Sequence, residues 1–138
     1  MPTLLYAEDD LEHRMMMEAL ITGTEISLIL AINGEDALIK IQETPPDLIL
    51  LDLFMPVMDG FTVMEEIKKN PDSRDIPILV LSAWPTGDNR QRAIDAGAID
   101  FIVKPYDPEE LINILIGHLH RPQIQQQLKP STQPLGMI

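Results

Sequence analysis

The chain alternates short, nearly uninterrupted apolar runs with longer stretches in which apolar residues return every three or four positions. Thr3–Ala7 reads as a first strand and stops against Glu8, Asp9 and Asp10. Asp10 is placed to cap a helix reaching Thr22, with Leu11, Met15, Ala19 and Leu20 at helical spacing and Gly23 as its stop. Ile26–Ala31 is a second strand, and Gly34–Glu43 a helix with Ala37, Leu38 and Ile41 on one side. Pro45 and Pro46 end that helix and lead into Leu48–Leu53, an apolar run of the kind that forms a buried parallel strand.

The alternation continues to residue 119. Phe61, Met64 and Ile67 mark a third helix that ends near Asn70–Pro71. Ile76–Leu81 is a fourth strand, with Pro77 at its edge, where a missing N–H is tolerated. Gly87–Ala96 is a helix of weaker pattern, Ala98–Val103 a fifth strand, and Pro108–Leu119 a last helix capped by Asp107 with Pro108 in its first turn. Strands and helices in this alternation predict an α/β fold, a doubly wound parallel sheet with helices on both faces. Right-handed crossovers leave few topologies for five strands, and the flavodoxin-like (βα)5 order 2-1-3-4-5 is the expected one. The domain is expected over residues 1–120. Beyond it, the segment 121–138 is rich in Gln and Pro without an apolar period, and reads as a disordered tail or the start of a linker.

Composition narrows the function. The net charge is -12, from 22 acidic against 10 basic residues, and such a surface is repelled by nucleic acid and by anionic membrane. No direct nucleic-acid or membrane partner is expected. There is no cysteine, which removes disulfides, thiolate metal sites and thiol nucleophiles together. The first ten residues carry no basic stretch and already contain three acids, and every apolar run is far shorter than the roughly 20 residues that span a bilayer. A cytoplasmic setting is the expectation.

In an open parallel sheet, ligands bind beyond the carboxyl ends of the strands. Here those ends carry Glu8-Asp9-Asp10, Asp52, Ser82-Ala83 and Lys104-Pro105. Four strands thus deliver carboxylates, a hydroxyl and an ammonium to one rim. Carboxylates held close together repel unless a cation joins them. Oxygen donors without His or Cys suit Mg²⁺, with Mn²⁺ as an alternative. A metal, an ammonium, a hydroxyl and a carboxylate nucleophile are the parts phosphoryl transfer needs, and a carboxylate nucleophile gives an aspartyl phosphate.

The segments YAEDD, LLDLFMPVMDG, VLSAW and DFIVKP resemble the receiver domains of bacterial two-component response regulators, of the single-domain chemotaxis-regulator type. The resemblance covers residues 3–119, and the stretch from Asp52 to Gly60 is its most specific part. It implies that Asp52 is the phosphoacceptor, and that Asp9 and Asp52 ligate the metal. Glu8 would act directly or through a water, and Phe54 would lend its backbone carbonyl. Lys104 would pair with Asp52 and then with the phosphoryl group. Ser82 would move toward a phosphoryl oxygen, and Phe101 would swing between outward and inward rotamers. Pro105 would follow a cis peptide that sets the turn aiming Lys104. The implied activity is a switch rather than an enzyme, with slow self-catalysed phosphorylation and dephosphorylation only. The readout surface would be the face of the fourth helix, fifth strand and last helix. The implied partners are a sensor histidine kinase or a histidine phosphotransfer protein upstream, and a protein target or output domain downstream. A phosphorelay intermediate, a receiver cut from a longer regulator, and homodimerisation on activation stay open.

Other residues read more blandly. Asp59-Gly60 is a turn and helix cap, Met15-Met16-Met17 core filler with one exposed member, and His13 a solvated helix residue. His118 and His120 lie two apart on different helix faces, which does not suit a metal. Trp84, two residues after Ser82, is a loop residue partly packed against the fourth helix, or else a gate beside Asp52 or a partner contact. Two rivals fail on single positions. A haloacid-dehalogenase-type phosphohydrolase wants a second Asp two residues after the nucleophile, where Phe54 stands. A flavin-binding domain wants a Ser/Thr/Gly-rich phosphate loop after the first strand, where acids stand instead.

Overall fold

The computed structural model of the protein describes residues 1–84 and 87–120. It has two compact units, Met1–Tyr106 and a second that begins at Asp107. The first unit runs β1 (Thr3–Ala7), α1 (Leu11–Ile21), β2 (Ser27–Ala31), α2 (Gly34–Glu43), β3 (Leu48–Leu51), α3 (Gly60–Lys69), β4 (Ile78–Ser82), α4 (Asn89–Asp95) and β5 (Asp100–Val103). All strands are parallel, in the order β2-β1-β3-β4-β5. The expected flavodoxin-like arrangement is the one observed.

The uninterrupted apolar runs explain the centre of the sheet. Leu4 to Ala7, Leu48 to Leu51 and Ile78 to Leu81 are all buried, so β1, β3 and β4 are covered on both faces. At the edges β2 exposes Ser27 and β5 exposes Val103. Register then fixes where the strands deliver their next residues. Ala7 lies opposite Leu51, so Glu8 and Asp52 leave the sheet side by side, and the Asp52 N–H donates to the Ala7 carbonyl at 3.2 Å. Ser82 lies opposite Val103, and the Lys104 N–H donates to the Ser82 carbonyl at 2.9 Å.

Helix starts follow side-chain chemistry. Asp10 accepts from Glu12 N at 2.8 Å and His13 N at 3.3 Å, Asn33 from Asp36 N at 2.7 Å, and Asp59 from Thr62 N at 2.9 Å. Asp88 makes no such bond, and Gly87 is left-handed at φ 68°, so α4 begins later than the expected Gly87; it ends at Asp95, with Ala96 as C-cap and the left-handed Gly97 at φ 113° after it. Several strands are also shorter than their apolar runs. β3 stops at Leu51 although Leu53 is buried, and β2 starts after the buried Ile26, because burial extends past the hydrogen-bonded ladder.

The α1 stripe needs a correction. Leu11 and Met15 are exposed, and Met17 and Ile21 face the core instead. Two of the three consecutive methionines are exposed, Met15 and Met16, not one. Apolar residues occur all round this helix, so its spacing alone does not select a face.

The second unit contributes a helix over residues 108–120 (α5). Asp107 caps it as expected, with Oδ2 accepting from Glu110 N at 2.9 Å and the carbonyl from Leu111 N at 2.9 Å. Leu111, Leu115 and Leu119 recur every four residues along one side. The expected Gln/Pro-rich tail, 121–138, lies outside the described residues. Among the described residues no helix is long and apolar enough to cross a membrane.

One glycine holds the Asp52 segment in place. A Cβ on Gly60 would stand 2.7 Å from the Asp52 carbonyl oxygen and 2.7 Å from Leu53 Cα, and the Gly60 N–H donates to Leu53 O at 2.8 Å. The start of α3 is therefore pressed against the backbone that carries Asp52. Gly60→Ala is expected to cost about 1–3 kcal/mol through overpacking, read as a lower urea midpoint at unchanged slope. A midpoint equal to wild type would mean that the segment yields freely.

Candidate active site

Glu8 leaves β1 as the first residue beyond the strand and is 1% exposed. A buried carboxylate needs donors, and one oxygen collects most of them. Oε1 accepts from the Tyr6 hydroxyl at 2.9 Å and from Lys104 Nζ at 2.5 Å, and lies 3.2 Å from His13 Nδ1. Oε2 accepts from Asp10 N at 3.2 Å, and the Glu8 carbonyl accepts from Arg14 Nη1 at 2.9 Å. Burial pushes the Glu8 carboxyl upward, but the hydrogen bond and charge of Lys104 outweigh it and hold Glu8 at about 2. Burial and the neighbouring Glu8 charge keep the Tyr6 hydroxyl well above its ordinary range, so it stays a donor.

Asp52, one residue beyond β3, is buried at 7% exposure. Its Oδ1 accepts from Phe54 N at 3.3 Å, while Oδ2 is 3.5 Å from Lys104 Nζ. The expected Lys104–Asp52 pairing is present, and Lys104 has a second, nearer carboxylate partner. Lys104 bonds Glu8, and Asp52 is its more distant partner. The charges follow the distances. Burial first, and then the Glu8 charge, raise Asp52 from 3.8 to about 6, with Lys104 compensating only in part. Asp9 is exposed and shifted upward by desolvation and by Glu8.

Glu8, Asp9 and Asp52 each offer a carboxylate oxygen, all within 4.8 Å of one another. Three acids face one ammonium here, so the cluster carries surplus negative charge that a divalent cation would relieve. The donors are oxygens only, which fits Mg²⁺ or Mn²⁺.

The other expected residues are placed differently. Ser82 is fully buried at the end of β4, and its Oγ accepts from Trp84 N at 3.1 Å. Phe101 is inward in the core at 5% exposure, with the Arg90 guanidinium 4.9 Å from its ring centroid. Phe54 and Trp84 are exposed beside this rim, at 45% and 61%. The Lys104–Pro105 peptide is cis, as the resemblance implies. Asp59 is a helix cap, as expected.

Sequence reasoning missed Tyr6, His13 and Arg14. Tyr6 could have been found, because it is two residues before Glu8 on a strand and so on the same side. The sequence predicts a solvated helix residue at His13, yet its Nδ1 touches both Glu8 Oε1 and Lys104 Nζ. Its position in the first turn of α1 is the signal, since such residues lie back over the chain that enters the helix.

A cavity of about 720 Å³ between the ends of α2 and α3, lined by Leu38, Ile39, Gln42, Glu66 and Asn70, shares no residue with this rim.

Known proteins share this sequence pattern and fold. The family model described as the response regulator receiver domain matches residues 4–116. The transcriptional regulatory protein ZraR of Salmonella typhimurium is 38% identical over 109 residues, 78% of this chain but only 24% of ZraR. The solved chemotaxis protein CheY4 of Vibrio cholerae superposes with a TM-score of 0.81 at 29% identity, covering 86% of this chain and 99% of CheY4. The receiver domain of sensor histidine kinase PA1611 from Pseudomonas aeruginosa superposes at 0.77 and 28% identity, over 87% of this chain and 95% of that one; it was solved with magnesium coordinated in its active-site cleft. The match runs through every strand described above, and the chain belongs to the response regulator receiver domain family.

Proposed function

We propose that Asp52 accepts a phosphoryl group from the phosphohistidine of a sensor histidine kinase or a histidine phosphotransfer protein. One observation carries this reading. Glu8 and Asp52 compete for a single ammonium and Glu8 holds it more closely, which leaves Asp52 as a buried carboxylate with unspent charge. In the transfer, an Asp52 oxygen forms the new O–P bond as the N–P bond of the phosphohistidine breaks, and the imidazole leaves with the electron pair.

Asp9 and Asp52 would hold Mg²⁺ or Mn²⁺ together with the Phe54 carbonyl. Glu8 would join them through a bound water or directly, its Oε1 being already crowded by donors. Such an ion, when bound, supplies positive charge against the phosphoryl oxygens. Lys104 and Ser82 supply the remaining donors: the Lys104 ammonium, now shared by Glu8 and His13, turns toward the phosphoryl oxygens, and the Ser82 hydroxyl, which accepts from Trp84 N, has its own hydrogen to donate. Phe101 changes rotamer with Ser82. The product is a switch with slow self-catalysed turnover, working in the cytoplasm through protein–protein contact. Direct contact with nucleic acid or membrane is not part of this reading, and homodimerisation on activation is compatible with it.

A second reading concerns context. ZraR extends well beyond the segment it shares with this chain, which favours a receiver that works with a separate output domain; the alternative use of the same site is as a phosphorelay intermediate.

Incubation with acetyl phosphate and Mg²⁺ is expected to add one phosphoryl group by intact mass, and Asp52→Asn to abolish the gain. Label persisting in that variant would overturn the assignment.

Burial of Asp52, with the Glu8 charge beside it, also sets a stability prediction. The folded-state value of Asp52 lies above its ordinary 3.8, so ionising it costs stability as pH rises from about 4 through about 6. In metal-free buffer at pH 7.5, Asp52→Asn should therefore stabilise the fold by about 1–3 kcal/mol. The gain should vanish below pH 4 and shrink when saturating Mg²⁺ stabilises the wild type. A variant less stable than wild type under EDTA would contradict this charge assignment.

Trp84, exposed and tied by its N–H to Ser82 Oγ, is proposed to shield the aspartyl phosphate from water. Trp84→Ala should hasten loss of the phosphoryl group several-fold in a decay time course. An unchanged decay rate would end that proposal.

A further inference from the structure

Lys104 stands at the junction of three groups. Its Nζ lies 2.5 Å from Glu8 Oε1, 3.1 Å from His13 Nδ1 and 3.5 Å from Asp52 Oδ2. Two of these partners come from the β1–α1 side, so the ammonium leans away from Asp52. Glu8 cannot be the adjustable member, because it is buried and shared with Tyr6 and the Asp10 N–H. His13 can. It sits in the first turn of α1 with a side chain 43% exposed, and its backbone is fixed by the Asp10 cap. In the Nε2–H tautomer, Nδ1 offers a lone pair to the ammonium, and both acceptors converge on the same cation.

We propose that His13 is a positioning residue that holds Lys104 on the Glu8 side of the site before phosphoryl transfer. The proposal rests on the reading of Asp52 as acceptor for its consequence, though the restraint on Lys104 does not depend on it. Before transfer, Lys104 must release Nδ1 to meet the incoming phosphoryl oxygens, so His13 slows phosphorylation. After transfer, Lys104 is engaged by the phosphoryl group, and His13 has no hold on it. The signature is therefore a split between the two rates.

Two variants separate this role from a structural one. His13→Leu removes the acceptor at a half-exposed position, and His13→Asn places an amide atom where Nδ1 stands. The first measurement uses metal-free, unphosphorylated protein. Water exchange of the Lys104 ammonium protons, followed by ¹H–¹⁵N NMR, should rise about three- to tenfold in His13→Leu, the scale of one hydrogen bond, and return toward wild type in His13→Asn. The second uses acetyl phosphate and Mg²⁺. His13→Leu should be phosphorylated several-fold faster than wild type, with an unchanged dephosphorylation rate, and His13→Asn should resemble wild type. Unchanged Lys104 exchange, or equal changes in both rates, would overturn the proposal. A wild type that never becomes labelled, but whose Lys104 exchange depends on His13, would sink the Asp52 reading and leave the restraint standing.

Discussion

The hydrogen bond from Lys104 Nζ to Glu8 Oε1 joins residues 96 apart in the chain and organises everything around it. Burying a carboxylate is costly unless donors replace water, and Glu8 is almost fully buried. Tyr6, the Asp10 N–H and Lys104 meet that need from β1, the cap of α1 and the end of β5. Their agreement on one oxygen pair decides the electrostatics of its neighbour. The ammonium is committed to Glu8, so Asp52 feels the Glu8 charge more than it feels relief from Lys104. Burial raises Asp52 first and the Glu8 charge adds to it, while the nearer ammonium lowers Glu8 despite burial, in the order that the distances of 3.5 and 2.5 Å give. Of the two carboxyls, Asp52, farther from the ammonium, keeps its proton to higher pH.

That arrangement is possible because the sheet is parallel and in register. Every strand points its carboxyl end the same way, and residues immediately beyond Ala7, Leu51 and Val103 become neighbours without any loop designed to bring them together. The loop from Asp52 to Gly60 is instead under constraint. Gly60 abuts the Asp52 backbone, and Val57, a β-branched residue, is held at φ 72° with its side chain exposed. Positive φ at such a residue is strained and survives where the surroundings overdetermine it. Here the Asp59 cap, the Gly60–Leu53 hydrogen bond and the buried Leu53 and Met55 do so.

How much of this was legible depended on the range of the interaction. Alternating apolar runs and Pro/Gly punctuation sufficed for the sheet, because burial on both faces leaves a pattern in consecutive residues. The acidic strand ends were legible for a related reason, since topology alone sends residues 8, 52, 82 and 104 to one rim. The inner face of α1 was not. Leu11, Met15, Met16, Met17 and Ile21 are all apolar, and only tertiary packing selects Met17 and Ile21. Nor could spacing reveal that Lys104 prefers Glu8 to Asp52, a choice made over about an ångström in space. His13 fell between the two cases. Its helix was expected, but its role depends on where the ammonium of residue 104 comes to rest.

The same preference gives the site its capacity to switch. A phosphoryl group on Asp52 would add about -1.5 to -2 charges where acids already outnumber the local cation. The donors available to it are already positioned by other contacts. Lys104 is held by Glu8 and His13, and the Ser82 hydroxyl, though its hydrogen is not used there, is placed by accepting from the Trp84 N–H, which ties it to the chain following β4. Satisfying the phosphoryl oxygens would therefore exchange existing bonds for new ones at the ends of β4 and β5. The resulting population shift can be no larger than the difference between those two sets of contacts. Bonds of this kind contribute about 1 kcal/mol each, more when charged, so a few exchanged together suffice to tip a two-state balance several-fold or more. Phe101 sits one strand position from Ile102 and beneath Arg90 of α4, where movement at these strand ends would reach the surface. In this account the conformational change begins in the competition for Lys104, and the buried Glu8 sets its starting point.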